Sequence, residues 1–324
     1  MNWPMRAAVL ASLTLLAAAP AQAQQYPSRP VTIVVPFAAG GGSDLLARLV
    51  AQKLEEKLGK PFLIENRPGA ATTLAAMQVV RATPDGLTLM QATSSTMAIN
   101  VSMSKKMSYE PLKDLVPIAL LSSSPFFLVV NNNSPVKSVA DLIALAKAQP
   151  NGLNYGSGGP GSMHHLSTEL LQSLADIQMT HVPYKGTPPA MNDLIAGHIQ
   201  VLFGDTTSTL PMIQQGIVRG IAVTTAKRSP AAPDIPAVAE TVPGYESASW
   251  QMLVAPRGTP PEVIALLNRE VHAIFSDPAV IVELTKRGVG PAITGTPAEV
   301  SDFVKKEIVR WTDVVRRAGL EGSQ

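Results

Sequence analysis

The sequence predicts an α/β protein of two lobes with a cleft between them. Three observations carry that reading. Short β-rich runs alternate with amphipathic helical ones in two separate series. Each series has a glycine-rich turn between a strand and a helix: Val35-Pro-Phe-Ala-Ala-Gly-Gly-Gly-Ser-Asp44 in the first, Asn154-Tyr-Gly-Ser-Gly-Gly-Pro-Gly-Ser162 in the second. Apolar strand candidates near 117–130 and 247–256 mark both junctions, so the chain crosses between lobes more than once.

The first series opens with the strand Val31–Val35 and the helix Leu45–Leu58, which Gly59 stops. Phe62–Ile64 is the next strand. Asn66–Gly69 turns into an alanine-rich helix ending near Arg81, and Leu87–Ala92 is a third strand after the Pro84-Asp-Gly86 turn. The β-α-β-α-β order implies a parallel sheet covered on both faces. The second series runs from strand Phe126–Val130. Ser138 and Asp141 form a capping box for helix 139–148. Strand 153–155, helix 164–174, strand 179–184, helix 189–196, strand 201–203, helix 210–215 and strand 217–225 complete it. The proline-rich stretch 230–243 is irregular apart from a short helical turn. Trp250–Ala255 is a strand, and helices 261–275, 278–287 and 297–318 finish the chain.

Residues 1–23 read as a signal peptide: Arg6 as the sole charge, an apolar run, then Ala21-Gln-Ala23. Cleavage after Ala23 would export a chain of about 300 residues to the periplasm. Its formal charge of +2 falls to +1 without Arg6, which gives no nucleic-acid or membrane footprint. The absence of cysteine excludes disulfides and thiol chemistry. No histidine spacing suits a metal, because His164 and His165 point about 100° apart on a helix. No cofactor is expected either. Gly156-Ser-Gly-Gly-Pro-Gly161 matches G-x-G-x-x-G, with Asp176 downstream, but Asp176 falls at the end of a helix, not of a second strand.

Glycine turns beyond strand ends suit a ligand held by backbone. Glycine permits close approach, and exposed N–H groups at a helix start favour an anion. Each hydrogen bond to a charged acceptor contributes about 1.5–3 kcal/mol. Three or four would hold a small carboxylate at micromolar affinity, which needs about 8 kcal/mol. Ser43 or Asp44 can cap the first helix. Thr93, Ser94 and Ser95 end a strand, and Lys185 lies in another strand-end turn. Asp205 either caps the next helix or meets a ligand amine. His165 either donates to a ligand or packs locally. A rival from another class is a secreted hydrolase using Ser157 or Ser162 with His165, although G-x-S-x-G is absent.

Pro36-Phe37 with Gly40-Gly41 and Asp44, Glu65-Asn-Arg-Pro-Gly-Ala70, Pro84-Asp-Gly86 and Asn154-Tyr-Gly-Ser157 are shared with a known family. So are His165-Leu166, Val182-Pro-Tyr-Lys-Gly186 and Pro243-Gly-Tyr-Glu246 with Trp250. From about Tyr26 to Gly319 the chain resembles the Bug, or TctC-type, receptors of tripartite tricarboxylate transporters. The resemblance implies a type II periplasmic-binding-protein fold, with 24–124 and 247–324 as one lobe and 125–246 as the other. It implies a monomer with no enzymatic activity, which closes on a small organic acid and delivers it to membrane subunits. A receptor acting on a signalling partner fits equally. The implied ligand residues are Phe37, Ala38, Ala39, Gly40, Gly41, Ser43, Thr93, Ser94, Ser157, Gly158, Gly159, Ser162, His165, Asp205 and Thr207. The chain departs from the family pattern at Ala70-Ala-Thr-Thr73, where relatives often carry a further glycine, and at Gly204-Asp-Thr-Thr207.

Overall fold

The structure, a computed structural model, describes residues 26–286, 289, 295–317 and 319–323. The expected signal segment lies outside them. Among the described residues ten strands form two five-stranded sheets. The first holds β1 (Val31–Val35), β2 (Phe62–Asn66), β3 (Thr88–Thr93), β4 (Leu115–Ser124) and β10 (Ser249–Pro256), in the order β2-β1-β3-β10-β4. The second holds β5 (Phe126–Asn131), β6 (Asn154–Ser157), β7 (Thr180–Pro183), β8 (Val201–Asp205) and β9 (Val218–Val223), in the order β7-β6-β8-β5-β9.

The three strands of the β-α-β-α-β order are parallel as expected, although neither five-stranded sheet is wholly parallel. β1 pairs parallel with β2 and β3, but β10 is antiparallel to β3 and β4. Likewise β6 is parallel to β7 and β8, while β5 is antiparallel to β8 and β9. The reason is connectivity. β5 comes directly from the first sheet and β10 returns to it from the second, so each enters from the opposite end. Both crossings meet at Thr224: its Oγ1 accepts from the Phe126 amide at 2.8 Å and its carbonyl from the Ser247 amide at 2.9 Å.

Helices cover the sheets: α1 (Gly42–Leu58), α2 (Thr73–Val80), α3 (Val139–Ala148), α4 (Met163–Ala175), α5 (Thr187–Ala196), α6 (Thr206–Gln214), α7 (Pro261–Phe275), α8 (Pro278–Lys286) and α9 (Pro297–Arg317). On α1, Leu46, Val50 and Leu54 recur at helical spacing and are buried with Val31, Ile33 and Leu89 of the sheet. Gly59 closes α1 in the left-handed region, its amide reaching the Glu55 carbonyl. Leu54→Ala would therefore cost about 2–5 kcal/mol. Ser138 caps α3 by accepting the Asp141 amide, and the Asp141 carboxylate answers at the Lys137 amide. Along α9, Glu307 Oε2 accepts from Trp311 Nε1 at 2.9 Å and from Trp250 Nε1 of β10 at 2.6 Å. That bond ties the C-terminal helix to the returning strand. A π-helical turn, Ser95–Ile99, follows β3 and has no sequence counterpart in the periodicity. Among the described residues no helix is long and apolar enough to cross a membrane, and no side-chain group is arranged to hold a metal ion.

Candidate functional site

The carboxyl ends of β1 and β6 face each other, and the two glycine-rich loops meet there. The first loop leaves β1 through Pro36 and half-buried Phe37. α1 begins at Gly42, three residues earlier than the apolar period suggests, with Gly41 as its N-cap and no side-chain cap. Ser43 and Asp44 thus lie in the first turn and neither caps it. Asp44 instead braces the loop. Its Oδ2 accepts the Gly40 amide at 2.9 Å and Arg48 Nε at 2.8 Å, and its Oδ1 accepts Asn66 Nδ2 at 2.9 Å. Asn66 also donates to the Phe37 carbonyl at 3.1 Å. Burial pushes the Asp44 carboxyl up, but the bonds from Arg48, Gly40 and Asn66 outweigh it and hold the group below its ordinary value.

The second loop is braced from within. Ser157 Oγ accepts the Gly159 amide at 3.0 Å and lies 2.5 Å from His181 Nε2. Ser162 caps α4: its Oγ accepts the His165 amide at 3.3 Å and donates to the Gly159 carbonyl at 2.6 Å. The Gly161 amide donates to His165 Nδ1 at 3.2 Å. The His165 and His181 rings stack at 4.2 Å, and Tyr155 stacks on His181 at 5.0 Å. Burial, with the neighbouring His181, pushes His165 down to about 3, and burial pushes His181 down to about 4. Both rings are neutral at pH 7, which leaves His165 Nδ1 an acceptor. His165 therefore packs locally. The hydrolase pairing does not form: the Ser162 hydroxyl is held by Gly159 and the His165 backbone, and Ser157 meets His181.

Two backbone donors of the first loop cross to the second lobe. The Ala38 amide reaches the Lys185 carbonyl at 2.9 Å, and the Gly42 amide reaches Asp205 Oδ2 at 3.4 Å. Asp205 stands at the N-cap of α6, which starts four residues before the expected Leu210, yet its side chain makes no cap bond. Its carboxylate lies between His164 Nε2 at 3.2 Å and Thr187 Oγ1 at 2.6 Å. Burial acts upward on Asp205, but His164, Thr187 and the Gly42 amide together lower its pKa. The cap expectation is corrected, because His164 and Thr187 of its own lobe and the Gly42 amide of the other win the carboxylate. His164, which the sequence reading treats only as a neighbour of His165, is the residue that reasoning missed. Its side chain is buried between Phe37 and Phe126, and its Nδ1 has no partner among the described residues. The signal was the first histidine of an adjacent pair, which a helix turns toward a different wall from the second.

Between the lobes lies a cavity of about 320 Å³. It is lined by Pro36 and Phe37, by Pro68 to Thr72, by Gly158 to Pro160 and by Pro183 to Lys185. It brings together Phe37, Gly158 and Gly159 of the expected set. Asp205 and Thr207 line a separate void of about 10 Å³ with Ser122, Ser124 and Ser249. Gly40 and Thr207 also border an outer groove with Thr187 and Pro188. Thr93 and Ser94 are buried behind the site. Thr93 Oγ1 is 3.3 Å from Thr96 Oγ1, and Ser94 Oγ is 3.5 Å from Ser249 Oγ. A cavity of about 350 Å³ at Val136, Leu142 and Ile199 touches neither loop.

The family model described as "Tripartite tricarboxylate transporter family receptor" matches residues 46–320. The chain belongs to this family. It is 35% identical over 304 residues to protein BugT of Bordetella pertussis, covering 93% of both chains. An R. palustris structure with adipate shares 40% identity and a TM-score of 0.88, over 91% of this chain and 98% of that one. MatC from Rhodopseudomonas palustris with bound malate shares 35% identity at a TM-score of 0.85, over 90% and 100%. The tricarboxylate-receptor family and its α/β two-lobed, type II binding-protein fold are thus those the sequence motifs imply.

Proposed function

We propose that this receptor-family chain captures a small organic carboxylate between its lobes in the periplasm and delivers it to tripartite tricarboxylate-type membrane subunits. Residues 24–124 with 247–324 form one lobe and 125–246 the other. The observation that carries the reading is the interlobe cavity, walled by Phe37 and the 68–72 turn from the first sheet and by the glycine-rich 158–160 stretch from the second. Relatives solved with adipate and malate support the ligand class. Closure is driven by the ligand's higher affinity for the closed arrangement, in which both walls are present. No turnover is required of the site.

A thermal-shift screen of the chain from Gln24 onward against mono-, di- and tricarboxylates, aromatic acids and amino acids tests this. A ligand at a hundred times its dissociation constant stabilises the fold by about 2.7 kcal/mol. A saturable shift with one acid class, unchanged acid after incubation and no labelling by a serine-directed probe is the expected result. Covalent labelling of Ser157 or Ser162 would establish the hydrolase instead.

A further inference from the structure

β4 and β10 are the strands by which the chain leaves the first sheet and returns to it. Near the crossing they turn polar. Ser122 pairs with Gln251, and Ser124 with Ser249. Residues two apart on a strand share a face, so these four side chains point to one side. Further along, the partners are apolar: Leu120 pairs with Met252 and Ala119 with Leu253. Ser122, Ser124 and Gln251 are nonetheless buried.

Buried hydroxyls and amides cost free energy unless each finds a partner. Here the surrounding side chains do not suffice. Ser122 Oγ is fully buried and has no hydrogen-bond partner among the described residues. Ser249 Oγ lies 3.5 Å from Ser94 Oγ, at the outer limit of a hydrogen bond. Gln251 Oε1 accepts from Gln91 Nε2, which leaves Gln251 Nε2 to donate elsewhere.

These groups line the void of about 10 Å³. Ser122, Ser124, Ser249 and Gln251 come to it from the first sheet, Asp205 and Thr207 from the second lobe. It shares no lining residue with the 320 Å³ cavity. Its size takes about one water and excludes any organic acid. Asp205, the carboxylate on its wall, already accepts from His164, Thr187 and the Gly42 amide. The hydroxyl and amide groups therefore decide the occupant. They donate and accept in one small space, as water also does.

We propose that this void is a binding site for a single sequestered water, held by Ser122 Oγ with Ser249, Gln251 and Thr207 as its further partners. Thr207 belongs to the second lobe, so the water joins the lobes beside the crossing strands. The site is whole while the lobes are seated together.

The test is magnetic relaxation dispersion of water oxygen on the purified protein, which counts water molecules held inside a fold and times their exchange. Ser122→Val fills the void with methyl groups and removes the hydroxyl. It should hold about one long-lived water fewer than the parent protein. Thr207→Val keeps the side-chain shape and removes the partner from the second lobe. It should shorten the residence of that water about tenfold, the effect of one lost hydrogen bond. If Ser122→Val fails to fold, Thr207→Val decides. An unchanged count in Ser122→Val overturns the proposal, and so does an unchanged residence in Thr207→Val. A melting temperature higher in sodium chloride than in choline chloride at equal ionic strength, in the parent and not in Ser122→Val, would assign the void to a cation and overturn it too.

Discussion

In the loop 37–43, the Ala38 and Gly42 amides bond to the opposite lobe, at the Lys185 carbonyl and the Asp205 carboxylate. In the loop 157–162, the Gly159 and Gly161 amides stay inside their own lobe, at Ser157 Oγ and His165 Nδ1. Both are glycine-rich strand-to-helix turns, yet one is a bridge and the other is a self-braced wall. On the proposed closure, the bridge forms and breaks with the lobes while the wall keeps its shape. Mutations in the first should therefore act on binding, and mutations in the second on stability.

The largest expected effect is at Gly42. A Cβ there would lie 2.8 Å from Asp205 Cβ, and Thr207 Oγ1 would be 3.4 Å away. Gly41 is looser, with its nearest neighbours at 3.5 Å, the Ala38 carbonyl and Pro188. Gly42→Val should keep the lobes from seating and weaken the acid ligand about a hundredfold or more, since about 2.8 kcal/mol of closure contacts suffices. The ligand-free melting temperature should change less than the affinity, because the clash falls at one contact between the sheets and not in either core. Small-angle scattering checks the mechanism: the variant should fail to compact when ligand is added. A ligand-free protein that is itself unfolded would break the bridge assignment.

The second effect is in the wall and follows pH. His165 and His181 ordinarily titrate near 6.5 and are pushed to about 3 and about 4 in the fold. Between those values the unfolded chain binds protons that the folded one refuses. Stability therefore falls as pH drops from about 6.5 toward 4. Asp44 and Asp205 behave differently. Their lowered carboxyls add stability above the unfolded carboxylate range, and this is lost only at more acid pH, below their ordinary 3.8. Urea midpoints at pH 7 and pH 5 should thus differ chiefly through the histidines. His181→Gln can still bond Ser157 and cannot titrate, so the difference should shrink. An unchanged difference would show that the stack does not set it.

Much of this organisation was legible from residues. Strand Val31–Val35, the helix stop at Gly59 and the Ser138 cap each follow from local periodicity or chemistry, and all three form. The family motifs identified the fold. What the sequence could not show depends on partners far along the chain. The first turn of α1 is hidden because glycine, serine and aspartate are poor helix signals, and only docking against the second lobe settles where it starts. Asp205 looks like a cap locally, while its partners His164 and Gly42 lie 41 and 163 positions away. The left-handed backbone of Ala70, Ala71 and Thr72 is invisible because nothing in Ala-Ala-Thr favours positive φ. It is imposed by Asn100, which sits beyond an unforeseen π-helical turn.

The smallest effect sharpens the contrast between the loops at their helix starts. α4 begins with Ser162, whose Oγ accepts the His165 amide and donates to the Gly159 carbonyl. α1 begins with Gly41 and no side-chain cap, although Ser43 stands two residues on. Ser162→Ala should therefore cost about 1 kcal/mol of stability, the usual loss for a serine N-cap. Ser43→Ala should stay within about 0.5 kcal/mol, since it removes no cap. Paired urea denaturation of the two variants measures this directly. Neither serine lines the interlobe cavity, so the contrast is read on stability and not on carboxylate affinity. Equal losses at the two serines would mean that the first loop is braced through Ser43 after all, and that its open, backbone-only character is wrong.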